Sequence, residues 1–207
     1  MPETRPTVFV VDDDASVRDA IGNLLESVGL RTKMFASAEE FWKASRPDAP
    51  SCLILDVRLT GASGLELQEQ LRKVNMSIPI VFITAHGDVP MTSRAMKAGA
   101  IEFLMKPFQK EELLTAVRHG LEQDRVQRNE RAEIAVLESR AAQLTQRERE
   151  VMDLVVTGVI NKEIGSRLGL SEVTVKIHRS RLMQKMEASS LAELVRMYDK
   201  LTPRARG

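Results

Sequence analysis

Four short apolar runs, each ending in a polar group, constrain this chain more than any other feature. They read Val-Phe-Val-Val-Asp-Asp-Asp at 8–14, Leu-Ile-Leu-Asp at 53–56, Val-Phe-Ile-Thr at 81–84 and Phe-Leu-Met-Lys-Pro at 103–107. Such runs suit strands buried on both faces of a parallel sheet. The pattern predicts strands over about 7–11, 31–35, 52–56, 79–84 and 101–105. Amphipathic segments lie between them. Val17, Ile21, Leu24, Leu25 and Val28 repeat at helical spacing, and Leu65, Leu67 and Leu71 do so less perfectly. Ser63 is placed to cap a helix over 64–74, and Gly99 to end one that begins near Pro90. Five strands alternating with five helices imply an α/β domain over residues 1–122 with a doubly wound five-stranded parallel sheet. Right-handed crossovers put helices on both faces.

The carboxyl ends of such strands lie along one edge of the sheet. That edge would gather Asp12, Asp13, Asp56, Thr84 and Lys106. Each has an ordinary reading. Asp12 or Asp13 could cap the helix that begins near Ala15, Asp56 could be a turn residue, Thr84 a β-former and Lys106 a solvated cation. Together they read differently. Three close carboxylates repel unless a divalent cation lies among them. Mg2+ suits oxygen ligands from Asp12 or Asp13, from Asp56 and from the Arg58 carbonyl. An ammonium and a hydroxyl opposite suit a phosphoryl group, and an aspartate accepts one when a metal shields its charge.

Charge divides the chain. Residues 1–124 hold 14 Lys and Arg against 18 Asp and Glu, whereas residues 125–207 hold 16 against 11. An acidic half suits a cation site, and a basic half suits an anionic partner. The single cysteine, Cys52, lies in an apolar run and reads as a buried filler. His86, His119 and His178 have no metal-ligand spacing. Gly61 and Gly64 make no phosphate-binding loop. No apolar run approaches the ~18 residues of a membrane span. Met-Pro-Glu-Thr-Arg-Pro at the start does not read as a signal peptide, so the expectation is a cytoplasmic protein with no membrane partner.

Between Gln109 and Gly158 the chain holds one glycine, Gly120, and no proline. The fifth helix is therefore expected to run on as a charged connecting helix over 123–143. Ile134, Leu137, Ala141 and Leu144 form a short apolar stripe along it. Two readings stay open: a two-stranded coiled coil along 126–144, or a solvated single helix. Residues 145–201, within a second domain expected over 144–207, show four short helical patterns and no strand. Thr145 and Glu148 are spaced as a capping box for a helix over 146–157, which Gly158 closes. Further helices are expected over 161–168, 172–186 and 190–200, the second of these capped by Ser171.

On the helix over 172–186, Val175, His178, Leu182 and Met186 share one face, which should pack inward. Lys176, Ile177, Ser180 and Gln184 share the opposite face, and a major groove admits a helix presenting such a face. Lys176 can donate to guanine, and Ile177 can touch a thymine methyl. Thr174, Arg179, Arg181 and Lys185 flank that face and can bind phosphates.

Residues 7–122 resemble the receiver domain of bacterial two-component response regulators. The resemblance rests on Asp12, Asp13, Asp56, Thr84 and Lys106. It implies that Asp56 is the phosphoacceptor, supplied by a sensor histidine kinase. Asp13 would be the main Mg2+ ligand, helped by Asp12 and the Arg58 carbonyl. Thr84 would move onto the phosphoryl group, Lys106 would pair with it, and Phe103 would turn inward. A cis peptide is implied at Lys106–Pro107. Met91, Arg94, Lys97 and Ile101 would lie on or near a face that pairs two receivers. One departure is Leu59-Thr60, where the family usually has Met-Pro, and its expected effect is a looser loop beside the acceptor.

Residues 144–201 resemble the LuxR-type helix-turn-helix through Leu-Thr-Gln-Arg-Glu-Arg-Glu-Val (144–151), Gly158, Asn161-Lys162-Glu163-Ile164, Leu168, Ser171 and Thr174-Val175-Lys176-Ile177-His178-Arg179. Gly165 stands where that family usually has alanine, and should weaken its helix by up to ~1 kcal/mol. Both halves together are similar to the FixJ/NarL type, and Thr-Ala-His-Gly-Asp-Val-Pro-Met (84–91) favours the FixJ branch. The resemblance implies a homodimer formed on phosphorylation, double-stranded operator DNA as partner, and contact with RNA polymerase as a further role. Two rivals are a phosphate-independent DNA-binding or scaffold protein and an aspartyl-phosphate phosphatase. The phosphatase would need an acid two residues past its nucleophile, where this chain has Arg58.

Overall fold

The computed structural model describes residues 5–202, so most of the opening hexapeptide lies outside the described residues. Two compact units divide between Arg128 and Asn129. In the first, β1 (Thr7–Val11), β2 (Arg31–Phe35) and β3 (Ser51–Asp56) pair in parallel. A small antiparallel ribbon follows, β4 (Arg58–Leu59) with β5 (Ala62–Ser63), where the sequence pattern predicts only loop. The sheet is completed by β6 (Ile80–Thr84) and β7 (Glu102–Met105), in the order β2-β1-β3-β6-β7. The strands lie within a residue or so of their expected bounds.

Helices α1 (Ala15–Ser27), α2 (Ala38–Lys43), α3 (Gly64–Lys73), α4 (Val89–Lys97) and α5 (Lys110–Ala142) alternate with the strands. Their starts are legible in side-chain caps. Asp14 accepts from the Ser16 N–H, Ser63 and Glu66 form a capping box, and Asp88 accepts from the Met91 N–H. Asp14 capping α1 leaves Asp12 and Asp13 to other partners. Two apolar cores sit on opposite sides of the sheet. Val8, Val10, Ile54, Val81 and Ile83 pack with Leu25 and Leu113, whereas Phe9, Leu53, Leu55 and Phe82 pack with Phe41, Leu67 and Ala95. This alternation along strands buried on both sides is the physical basis of the apolar runs. Cys52 is fully buried, and burial pushes its thiol up to about 12, as a filler requires.

The second unit is helical: the end of α5, then α6 (Gln146–Val155), α7 (Asn161–Leu168), α8 (Glu172–Met186) and α9 (Leu191–Leu201). Its core joins Val151, Val155, Ile164, Val175, Leu182, Met186 and Leu194. Within this unit Leu137 and Leu144 are buried. Leu144 and Ala141 belong to the helical core, and Glu133 pairs with Lys200 of α9 at 2.6 Å. Leu137, Ala141 and Leu144 of the stripe are therefore packed within this unit. Further toward the start of the helix, Val126 and Val136 stay exposed.

Gly165 also differs from its expected cost. A Cβ there would lie 2.6 Å from the Leu170 carbonyl oxygen. The glycine allows the turn after α7 to close tightly on the helix, where the Leu170 N–H donates to the Gly165 carbonyl at 2.9 Å. Among the described residues no helix is long and apolar enough to cross a membrane.

Candidate functional site

Asp12 follows β1, Asp56 ends β3, Thr84 ends β6 and Lys106 follows β7, so four strand ends deliver four of the site's side chains to one edge. Lys106 Nζ donates to Asp12 Oδ2 at 2.6 Å and to Asp56 Oδ2 at 2.7 Å. Backbone N–H groups orient the other oxygens. Asp14 donates to Asp12 Oδ1 at 2.9 Å, and Arg58 donates to Asp56 Oδ1 at 3.0 Å. Carboxylate oxygens of Asp12, Asp13 and Asp56 all lie within 4.8 Å of one another.

Asp12 is fully buried. Burial holds its carboxyl above the usual carboxylate range, against the lowering effect of its bond to Lys106. Burial would by itself lower Lys106, but its bonds to Asp12 and Asp56 outweigh this and hold it above the ordinary lysine range. The ammonium therefore stays charged between two carboxylates. Three oxygen-bearing acids so close are a donor set that fits a small hard cation, and Mg2+ matches it.

Thr84 is fully buried at the same edge. Its hydroxyl donates to the His86 carbonyl at 3.2 Å, so it is turned into its own loop. Phe103 is half-buried, its ring 6.3 Å from that of Phe82. The Lys106–Pro107 peptide is cis.

The loop after Asp56 departs from the expectation of looseness. The Thr60 hydroxyl and N–H both donate to Asp13 Oδ2, the latter at 3.1 Å. Sequence reasoning assigns Thr60 no role in the site. Its one signal is its place where the resembled family has proline.

The four residues expected at a pairing face differ in exposure, Arg94 and Lys97 being exposed and Met91 and Ile101 partly buried. Arg94 and Lys97 line a groove between α3 and α4 with Glu69 and Arg72. Met91 packs beneath one side of the sheet and Ile101 beneath the other.

In the second unit, Lys176, Ile177, Ser180, Arg181 and Gln184 of α8 are exposed, and Val175, Leu182 and Met186 are buried on the opposite side. The Thr174 hydroxyl lies 2.8 Å from that of the cap residue Ser171. Arg179 donates to Asn161 Oδ1 at 3.2 Å, joining α8 to the first turn of α7. Lys185 departs from the expected phosphate contact. Its ammonium donates to the buried Glu148 at 2.7 Å and to the Gln143 carbonyl at 3.1 Å. The sequence spacing of 37 residues hides this pair.

Residues 8–118 match the response regulator receiver domain family, and residues 142–198 match the bacterial regulatory proteins of the luxR family. The chain is 52% identical over 198 residues to Nodulation protein W of Bradyrhizobium diazoefficiens, covering 96% of this chain and 87% of that one. It is 44% identical to Transcriptional regulatory protein FixJ of Azorhizobium caulinodans, covering 95% of this chain and 93% of that protein. A solved structure of the response regulator StyR superposes with a TM-score of 0.84 at 52% identity, over 95% of this chain and 99% of that one.

Proposed function

Since the chain belongs to the two-component response regulators with a LuxR-type DNA-binding domain, a family of transcriptional regulators and not of enzymes, we propose that Asp56 is its phosphoacceptor and that α8 reads its operator. The observation that carries the first half is the Lys106 ammonium lying between Asp12 and Asp56 at 2.6 and 2.7 Å. We assign the receiver to residues 1–122, the connecting helix to 123–143 and the DNA-binding domain to 144–207.

A sensor histidine kinase is the phosphoryl source in this reading. An Asp56 oxygen attacks phosphorus, the donor's N–P bond breaks, and the nitrogen keeps the electron pair. Asp12, Asp13, Asp56 and the Arg58 carbonyl would hold Mg2+, which would offset the charge of the incoming group. Lys106, already charged and in place, pairs with the new phosphoryl oxygens. Thr84 exchanges its bond to the His86 carbonyl for one to the phosphoryl group, and Phe103 turns inward. That motion reshapes the surface of α4 and β7, where two receivers then pair. Met91, Arg94, Lys97 and Ile101 are its candidate residues, with the exposed Arg94 and Lys97 the accessible ones.

On DNA, Lys176 and Ile177 touch base edges, Ser180 and Gln184 share their face, and Thr174, Arg179 and Arg181 bind phosphates. Lys185 is left out because Glu148 holds it. RNA polymerase contact would follow DNA binding. The test is a footprint on promoter DNA with and without acetyl phosphate. Protection at lower protein concentration with the donor is expected. Equal protection would favour phosphate-independent binding.

A further inference from the structure

Three carboxylates meet at the cation site, and each is oriented by one backbone N–H. Asp14 supplies it to Asp12 at 2.9 Å, Arg58 to Asp56 at 3.0 Å, and Thr60 to Asp13 at 3.1 Å. Asp12 and Asp56 are also buried and share Lys106. Asp13 is exposed, so packing does little to choose its rotamer. Its orientation depends on Thr60, which adds its hydroxyl to the same oxygen, Oδ2. An sp2 oxygen accepting two hydrogen bonds has both lone pairs engaged, which leaves Oδ1 as the oxygen open to a cation.

Thr60 is itself held in place. It opens the two-residue turn of the ribbon in which Leu59 pairs with Ala62, and Gly61 takes a φ of 83° to complete the turn. A proline at 60 would carry neither the N–H nor the hydroxyl. The loop would then lose both ties to Asp13.

We propose that Thr60 is a positioning residue of the cation site: it fixes the Asp13 carboxylate in the ligating orientation and couples the turn at 60–61 to Mg2+ binding. The proposal rests on the reading of Asp13 as an Mg2+ ligand. Ligating carboxylates depend on such outer hydrogen bonds, and losing one typically weakens metal binding by about 10-fold or more. The group acts through Asp13 and does not touch the reacting atoms.

The test is a calorimetric Mg2+ titration of the full chain with no phosphoryl donor, so that binding is read apart from phosphorylation. Thr60→Pro should weaken Mg2+ binding about 10-fold. Thr60→Val, which keeps the N–H and removes the hydroxyl, should fall between that variant and wild type. Thr60→Ser should match wild type. Thermal unfolding without Mg2+ checks the fold, and if Thr60→Pro is damaged, Thr60→Val and Thr60→Ser carry the test. Wild-type or tighter binding in Thr60→Val overturns the proposal. Asp13→Asn separates the two readings. Lost binding there with unchanged Thr60 variants sinks the positioning role alone, whereas intact binding in Asp13→Asn sinks the cation-site reading and the proposal with it.

Discussion

At the sheet edge, Lys106 is locked between Asp12 and Asp56, and the Thr84 hydroxyl is bonded to its own loop. On α8, by contrast, Lys176, Ile177, Ser180 and Gln184 stand exposed on a helix whose opposite face is buried. The two sites solve different problems. Transfer of a phosphoryl group requires charges already in position, because reorganising them would raise the barrier. Reading a base edge requires donors and methyl groups that nothing inside the protein has claimed. Lys185 of α8, held by the buried Glu148 and the Gln143 carbonyl, supports that helix from within.

The largest expected effect breaks the pocket alone. Asp56→Asn should abolish labelling by acetyl phosphate, since an amide cannot serve as acceptor, and should leave unphosphorylated DNA affinity unchanged. Intact-mass spectrometry checks the first, and equal labelling of mutant and wild type rejects Asp56. The next effect concerns what links the two sites. Paired receivers raise the effective concentration of the second reading helix, a gain on the order of 10²–10⁴. Lys97→Glu should keep Asp56 labelling, reduce phosphorylated dimer in sedimentation, and lose much of that gain on a two-half-site operator. A fully dimeric variant with wild-type affinity would place Lys97 outside the pairing face.

On the reading helix the effects are smaller. Lys176→Ala should reduce discrimination between operator and random DNA by about 1–3 kcal/mol, whereas Arg179→Ala should weaken both and flatten their salt dependence. Mobility shifts over a salt series separate the two, and an unchanged operator preference removes Lys176 from the reading face.

Glu148 tests the support beneath that surface. Burial would raise its carboxyl, but its bonds to Lys185 and Thr145 outweigh this and hold it below the ordinary value of 4.5. A depressed folded pKa means stability that is present above 4.5 and lost as pH falls through the folded value. Glu148→Gln should cost about 1–2 kcal/mol near neutral pH and almost nothing in strong acid. Denaturant melts across that range check it, and a cost that does not shrink in acid would refute the charge pairing. The smallest effect is at Gly165. Alanine should gain helix propensity yet lose about 1 kcal/mol overall, because its Cβ meets the Leu170 carbonyl. A stabilised Gly165→Ala variant would show that the turn can shift at little cost.

The α/β sheet, the helical second half and the residues at the strand ends are all legible in the order of the residues. Strand burial imposes apolar runs, caps impose Asp, Ser and Thr at helix starts, and chain order places Asp12, Asp56, Thr84 and Lys106 along one edge. The inward and outward faces of α8 are legible for the same reason, since helical periodicity is a local property. Which partner each polar group takes depends instead on segments far apart in the chain. Thr60 reaches Asp13 across 47 residues of sequence, Lys185 reaches Glu148 across 37, and Gly165 owes its value to a carbonyl in the next turn. The stripe from Ile134 to Leu144 shows the same limit. Its spacing announces an apolar contact, but only the packing of the second unit reveals that its core takes up Ala141 and Leu144. Periodicity records that a side chain needs a neighbour, whereas hydrogen bonds and packing between distant segments depend on distances that no local pattern encodes.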